Sequence, residues 1–285
     1  MMVLRLGCVI LPAFVFSLSA APKVVLVAGT ASHPPGMHEY NAGCILLKRC
    51  LDESKLVETR LFTNGWPQAA GAFAGADAVF LYMDGGKRHA ALRDENLKQL
   101  RTLVDQGVGL GCAHFAVEVP KEHGRDWLEW LGGYYEVGYS INPIWEAKID
   151  ALPTHAITRG IKPFAIRDEW YFNIKFNEAT GRLIPIVVCK PSLGTRQKSY
   201  GPYPHIVQAA GRNETLMWAH ERANGGRSFG FTGGHFHDNW GDDNFRKLVL
   251  NAIVWSAKAD VPEAGVPGSA TADQLKENLD PKPPK

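Results

Sequence analysis

The chain lacks a charge imbalance: 31 Lys and Arg stand against 29 Asp and Glu, a formal +2, and the two signs are interspersed. No basic block offers a continuous phosphate-neutralising stripe, so nucleic acid is not an expected partner. Long apolar runs are also missing. Nothing approaches the roughly 18 residues that a spanning helix needs, so no integral membrane segment is expected once the N-terminus has been processed. There is no Gly-x-Gly-x-x-Gly after the first strand and no Walker-type Gly-Lys-Ser/Thr, which speaks against nucleotide binding, and no His-Glu-x-x-His helix. The five cysteines show no framework spacing. With 45% hydrophobic and 21% charged residues the chain reads as a soluble globular protein, long enough for one large core.

Arg5 is the only charge before Lys23, and Leu6 to Leu18 is apolar over the 7 to 15 residues or so that a signal-peptide core occupies. Small residues at Ser17, Ser19, Ala20 and Ala21 follow it. Residues 1–20 are therefore expected to be a signal peptide, and the mature protein to be exported, periplasmic or extracellular. Cys44, Cys50, Cys112 and Cys189 remain after cleavage and read as mostly buried thiols.

Lys23 to Ala28 is a continuous Val-rich run, the pattern of a strand buried on both faces of a parallel sheet. Helical spacing follows over Tyr40 to Glu53, then strands at Val57 to Phe62 and Ala76 to Met83, a helix over Arg93 to Gln106, and a strand at Val108 to Cys112. The order β-α-β-β-α-β predicts an α/β fold with a doubly wound, mostly parallel sheet, whose ligands sit at the carboxyl ends of the strands. Shorter β-like runs at Ile144 to Ile149, Leu183 to Val188, His205 to Ala209 and Thr215 to His220 are expected to extend the same sheet with antiparallel strands. Ser228 to Thr232 reads as a last strand and Asp243 to Ser256 as a helix with Phe245, Leu248, Val249, Ala252 and Ile253 facing inward. The segment 264–285 is Pro-rich and polar and is expected to be disordered.

Six of the ten histidines follow predicted strands: His33, His38, His89, His114, His235 and His237. They fall into clusters. Ser32 to Glu39 follows the first strand, Gly109 to Glu118 runs a strand into a turn, and Gly233 to Trp240 leaves a strand through glycines, while Asp168-Glu169-Trp170-Tyr171 pairs carboxylates with aromatics. Imidazoles beside carboxylates suit metal ligation or acid–base transfer near neutral pH, and the spacing alone favours neither. His235 and His237 share a face only if that segment stays extended. If a metal is held, His38, His114, Glu169, His235 and His237 are the candidate ligands, and the donor set suits a zinc-like ion.

The Ser32 to Gly43, Gly109 to Pro120 and Asp168 to Tyr171 motifs, with Gly230 to His237, Phe245-Arg246 and Asn251 to Trp255, closely resemble ThuA-like proteins, the trehalose-utilisation family, and its exported members especially. The resemblance covers residues 23–261. It implies a flavodoxin-like, class I glutamine amidotransferase-like fold and a role in sugar metabolism, through 3-keto-glycosides among other routes. It also directs attention to His114, Glu169 and His235. With Glu118 in the same loop as His114, these are the candidate catalytic groups, and His33, Tyr171 and Trp240 are candidates for holding a sugar, with Trp145 a further aromatic of this kind. The relationship to amidotransferases raises a Cys–His amidase or peptidase, but Ala113-His114 follow Cys112 where that chemistry would need its Gly-x-Cys-x-Gly elbow. The expected function is an exported enzyme acting on a sugar or keto-sugar by His/Glu acid–base or metal-assisted chemistry. A carbohydrate-binding or accessory module without turnover is the alternative.

Overall fold

A computed structural model describes residues 20–177, 179, 181–198 and 203–282; the expected signal peptide lies outside them, apart from Ala20. In chain order the elements are β1 (Lys23–Ala28), α1 (Tyr40–Ser54), β2 (Glu58–Phe62), β3 (Ala78–Tyr82), α2 (Asp94–Asp105), β4 (Gly109–Ala113), α3 (Gly124–Trp130), β5 (Gly133–Tyr134) and β6 (Ile144–Ile149). They continue with β7 (Phe164–Glu169), β8 (Lys175–Phe176), β9 (Arg182–Cys189), α4 (Leu193–Gln197), α5 (Pro204–Gln208), β10 (Glu214–Glu221), β11 (Arg227–Phe231) and α6 (Asp243–Ser256).

Seven strands form the main sheet in the order β2-β1-β3-β4-β11-β10-β9. The pairings from β2 across to β11 are parallel, and β10 and β9 add the antiparallel extension. Alternation along β1 divides the core. Val24, Leu26 and Ala28 face a layer built with α1 and α6, whereas Val25 and Val27 face one built with α2 and α3. Both faces of β1 are thus covered, which is why its sequence is unbroken Val and Leu rather than alternating with polar residues. Helix α6 has the inward spacing expected of it, and the Asp242 carboxylate caps it by accepting from the Asn244 and Phe245 amides, both at 2.9 Å.

Three expectations differ from the structure. Strands β6 and β7 pair with each other rather than joining the main sheet. The run read as a strand at His205 to Ala209 lies in helix α5, where Pro204 sits at the helix start and supplies a preset φ. Finally, residues 264–282, expected to be disordered, are packed on the body. Val266 is fully buried, its amide donates to Asn251 Oδ1 at 2.7 Å, and Asp280 is buried as well. Composition suggested disorder because the segment has few apolar residues, but its order comes from long-range polar contacts that composition does not encode.

Candidate metal and active site

The parallel strands send their carboxyl ends to one edge, and the loops after β1, β3, β4 and β11 meet there. His38 comes from the first, Asp84 from the second, His114 from the third and His235 from the fourth. Glu169 ends β7, which the β6–β7 hairpin lays over the same edge. Gly85 lets the second and third loops close up, since a Cβ there would lie 2.0 Å from the Phe115 carbonyl oxygen.

Donor atoms from four side chains converge. His38 Nε2 lies 2.8 Å from His235 Nδ1 and 3.1 Å from His114 Nε2, and the latter two are 3.3 Å apart. Glu169 Oε2 is 3.3 Å from His235 Nδ1 and 3.5 Å from His114 Nε2. A tetrahedral zinc with bonds of about 2.0–2.1 Å would separate its ligand atoms by about 3.3 Å. The five separations above, 2.8–3.5 Å, bracket that value, and all four donor atoms lie within 4.8 Å of one another.

The outer hydrogen bonds fix which nitrogens carry protons. His114 Nδ1 is 2.9 Å from the Thr232 carbonyl oxygen, which can only accept, so Nδ1 carries the hydrogen and Nε2 presents a lone pair. Tyr40 donates its one hydroxyl hydrogen to Asp84 Oδ1 at 2.8 Å, so His38 Nδ1, 2.6 Å from that hydroxyl, must be the donor to it. His38 Nε2 is therefore also bare. Two lone pairs 3.1 Å apart repel unless something positive stands between or beside them. A single cation meets the requirement for all four donors together; otherwise hydrogens on His235 Nδ1 and on Tyr171, whose hydroxyl is 3.3 Å from His114 Nε2, must serve.

Burial keeps His38 and His114 neutral. It lowers His38 to about 3, against the pull of Asp84, and places His114 well below the usual histidine range, with His38 and His235 adding repulsion. Burial opposes the Asp84 charge too, but the His38 ring nearby, with Nδ1 3.9 Å away, and hydrogen bonds from Ser32 and Tyr40 outweigh it and hold the carboxyl at about 2. The result is Asp84–Tyr40–His38, a carboxylate-backed ligand of the kind that orients metal-bound histidines. Asp168 plays the equivalent part for the other side of the site. Fully buried, it accepts from the amides of Glu169 at 2.8 Å, Gly234 at 2.7 Å and His235 at 3.1 Å, so one carboxylate sets two of the loops.

A cavity of about 390 Å³ opens onto the cluster, with Met37, Phe115, Ile144 and Tyr171 as apolar wall and His33, Glu118 and Asn142 as polar wall. Larger cavities lie elsewhere, but their linings do not include this cluster. Burial pushes the Glu118 carboxyl up to about 7, with the Glu169 charge adding to the shift. Asn142 donates to Glu169 Oε1 at 3.2 Å and turns that carboxylate toward the histidines. His33 stacks on His38 with ring centroids 3.6 Å apart.

Of the residues singled out in the sequence, His33, His38, Glu118, Glu169, Tyr171 and His235 line this cavity, and His114 lies directly behind it. His237 does not join them. A 3-10 turn begins at that residue and carries its buried ring away from the cluster, so the extended backbone that a paired His-x-His needs is absent. Trp240 offers no face to a ligand, being fully buried against Tyr82 and Phe245, and Trp145 is a core residue whose indole N–H donates to the Trp170 carbonyl. His89 is buried on Trp127, away from the site. Cys112 lies inside β4 with no exposed surface, and burial raises its thiol far above the range in which it would ionise.

Sequence reading missed Tyr40, Asp84, Asn142 and the organising role of Asp168. For Asp84 a signal existed: it lies two residues past β3 at the same edge as the histidine loops, although Asp84-Gly85-Gly86 reads first as a strand stop. Asn142 sits in an irregular segment with no local pattern to mark it.

The sequence profile of the ThuA family, described as trehalose utilisation, matches residues 23–256. Among solved structures, a ThuA-like protein from Bacteroides uniformis superposes with a TM-score of 0.59 at 14% identity, covering 85% of this chain and 95% of that one. Another from Parabacteroides merdae gives 0.56 at 16% identity, covering 89% and 94%. No curated protein matches. The likeness to these structures is one of fold, a parallel α/β sheet with its antiparallel extension, and the profile match over most of its length makes the chain a member of the ThuA family.

Proposed function

We propose that the protein is an exported enzyme of carbohydrate metabolism that removes or delivers a proton beside the carbonyl of a keto-sugar, at a centre where His38, His114, His235 and Glu169 hold a zinc-like ion. The observation that carries this reading is the convergence of four donor atoms at tetrahedral-edge spacing beside a cavity that also holds a second carboxyl, Glu118. A bound divalent cation would supply Lewis acidity toward a carbonyl oxygen. The remaining work falls to the protein's own groups.

Glu118 is the acid–base candidate, since a carboxyl near 7 can take a proton from carbon and return one at neutral pH. Asn142 and Tyr171 are placed to receive sugar hydroxyls, and Phe115, Ile144 and Met37 to receive the C–H face of a ring. Among the described residues no lysine or arginine lines the cavity, which favours an uncharged sugar over a phosphorylated one. Membership of the trehalose-utilisation family supports the substrate class, and the apolar N-terminal run supports export. The buried Cys112 weighs against a cysteine hydrolase.

Solvent deuterium exchange tests the reaction type without knowledge of the product. Zinc-loaded protein incubated with 3-keto-glucosides in D₂O should incorporate deuterium beside the carbonyl, read by NMR, and Glu118→Gln should abolish this. Saturable binding of keto-sugars with no exchange and no turnover would instead establish a binding module. Intact Met1 in protein isolated from its host would reject export.

A further inference from the structure

Residues 279–282 reach back to the loop that carries His38, and nothing in the site described so far uses them. The Lys282 side chain is 2% exposed and the Glu39 side chain 1%, with Lys282 Nζ and Glu39 Oε1 3.1 Å apart. The ammonium has three hydrogens and three acceptors: that carboxylate, the Met37 carbonyl, and the His38 carbonyl at 3.3 Å. Glu39 is equally occupied. Its Oε2 accepts from the Asp280 amide and its Oε1 from the Gly36 amide, both at 2.8 Å. Asp280 Oδ1 in turn accepts from Asn41 Nδ2 at 2.5 Å.

The two carbonyls matter most. They belong to the peptides on either side of His38, so Lys282 fixes both planes that set the direction of the His38 Cα–Cβ bond. Position 38 needs this hold because its φ is +50°, a left-handed conformation that non-glycine residues adopt at a cost. Burying an ion pair also costs desolvation, and well-packed apolar side chains would fasten a chain segment at least as well. Directional control of two carbonyls is what an apolar fastening would not give.

We propose that Lys282 and Glu39 are positioning residues for the metal ligand His38, and that the 279–282 segment is a strap completing the metal site. The proposal rests on the metal reading above, so its test includes a measurement that needs no metal. Lys282→Met, Glu39→Gln and a stop after Leu279 should each weaken zinc binding, measured by chelator competition, by about 10- to 100-fold, the range typical of outer-sphere supports. In a His38→Ala background, where the other three donors bind zinc more weakly, Lys282→Met should produce no further loss. In metal-free protein, the amides of residues 37–40 should exchange hydrogen faster in Lys282→Met while those of β1 and α6 keep their wild-type rates.

Zinc affinity unchanged within about twofold in all three variants would overturn the strap. An equal loss with and without His38 would also overturn it, by showing general destabilisation. Should wild-type protein take up no stoichiometric divalent metal, the metal reading fails, and exchange at 37–40 alone decides: local acceleration supports positioning by the strap, and unchanged rates overturn it.

Discussion

His114 and His38 bring bare Nε2 atoms to within 3.1 Å of each other, yet they are held in contrasting ways. His114 follows directly from β4, in the middle of the sheet, and needs one backbone acceptor, Thr232, at the end of the neighbouring β11. The main sheet itself is its support. His38 stands in a long Pro- and Gly-containing loop, and its direction depends on Tyr40, on Asp84 from another strand, and on a lysine 244 positions away. One ligand is placed by the architecture and the other by a chain of polar side chains. The two arms should therefore fail differently: the first only when its own ring is removed, the second also when any of several residues is changed.

The largest effect is expected from His114→Ala, which deletes a donor that no other residue can replace. Zinc affinity should fall far below wild type, leaving only weak binding by the other three donors, and turnover should fall by about 10³-fold or more, checked by chelator competition and deuterium exchange. Retained zinc with retained turnover would remove His114 from the centre. Next comes Glu118→Gln, which leaves both arms intact. Zinc content should stay at the wild-type value while turnover falls by about 10²- to 10⁴-fold. Sign decides the pH profile: a base must be ionised, so kcat/KM should rise with pH through about 7 and level off above it. A fall through that range would make Glu118 the acid instead.

A smaller effect separates the arms. Asp84→Asn removes the charge behind Tyr40 and His38, and metal affinity should drop by about 10- to 100-fold. Its double variant with His38→Ala should show no added loss, whereas in a His114→Ala background the Asp84 effect should persist; chelator competition distinguishes these results. Smallest in activity is Cys112→Ser, expected to turn over within about twofold of wild type. It should lose about 1–3 kcal/mol of stability, because a buried hydroxyl without an assigned acceptor replaces a thiol. Urea unfolding measures that cost, and a collapse of activity with the fold intact would revive the cysteine hydrolase.

The contrast between the arms also explains how much could be read from the sequence. Strand β1, helix α6 and the loops after β1, β4 and β11 were legible because apolar periodicity and glycines are local signals. His114, the residue after β4, and His235, four residues past β11, inherit their positions from that pattern. The supports of His38 do not. Nothing near Asp84 announces that it pairs with Tyr40, and nothing near Lys282 announces Glu39; both follow from folding the chain back on itself. Trp240 shows the converse error, since an aromatic beside a histidine cluster reads as a sugar platform until three-dimensional packing seals it against Tyr82 and Phe245. Asp168 was legible as a carboxylate but not as the acceptor of three amides.

The backbone carries one more consequence. His33, His38 and His114 all have positive φ, at +63°, +50° and +52°. Histidine tolerates this better than most residues, but each such position still costs about 1 kcal/mol or more relative to glycine. Three of them together draw on a margin that for a typical domain is only about 5–15 kcal/mol. A chain shaped by folding alone would relax toward glycine or asparagine at all three positions, so the strained imidazoles record a demand that the fold itself does not make. Variants recovered by selection for thermal stability should accumulate there first, and each would gain robustness by giving up chemistry.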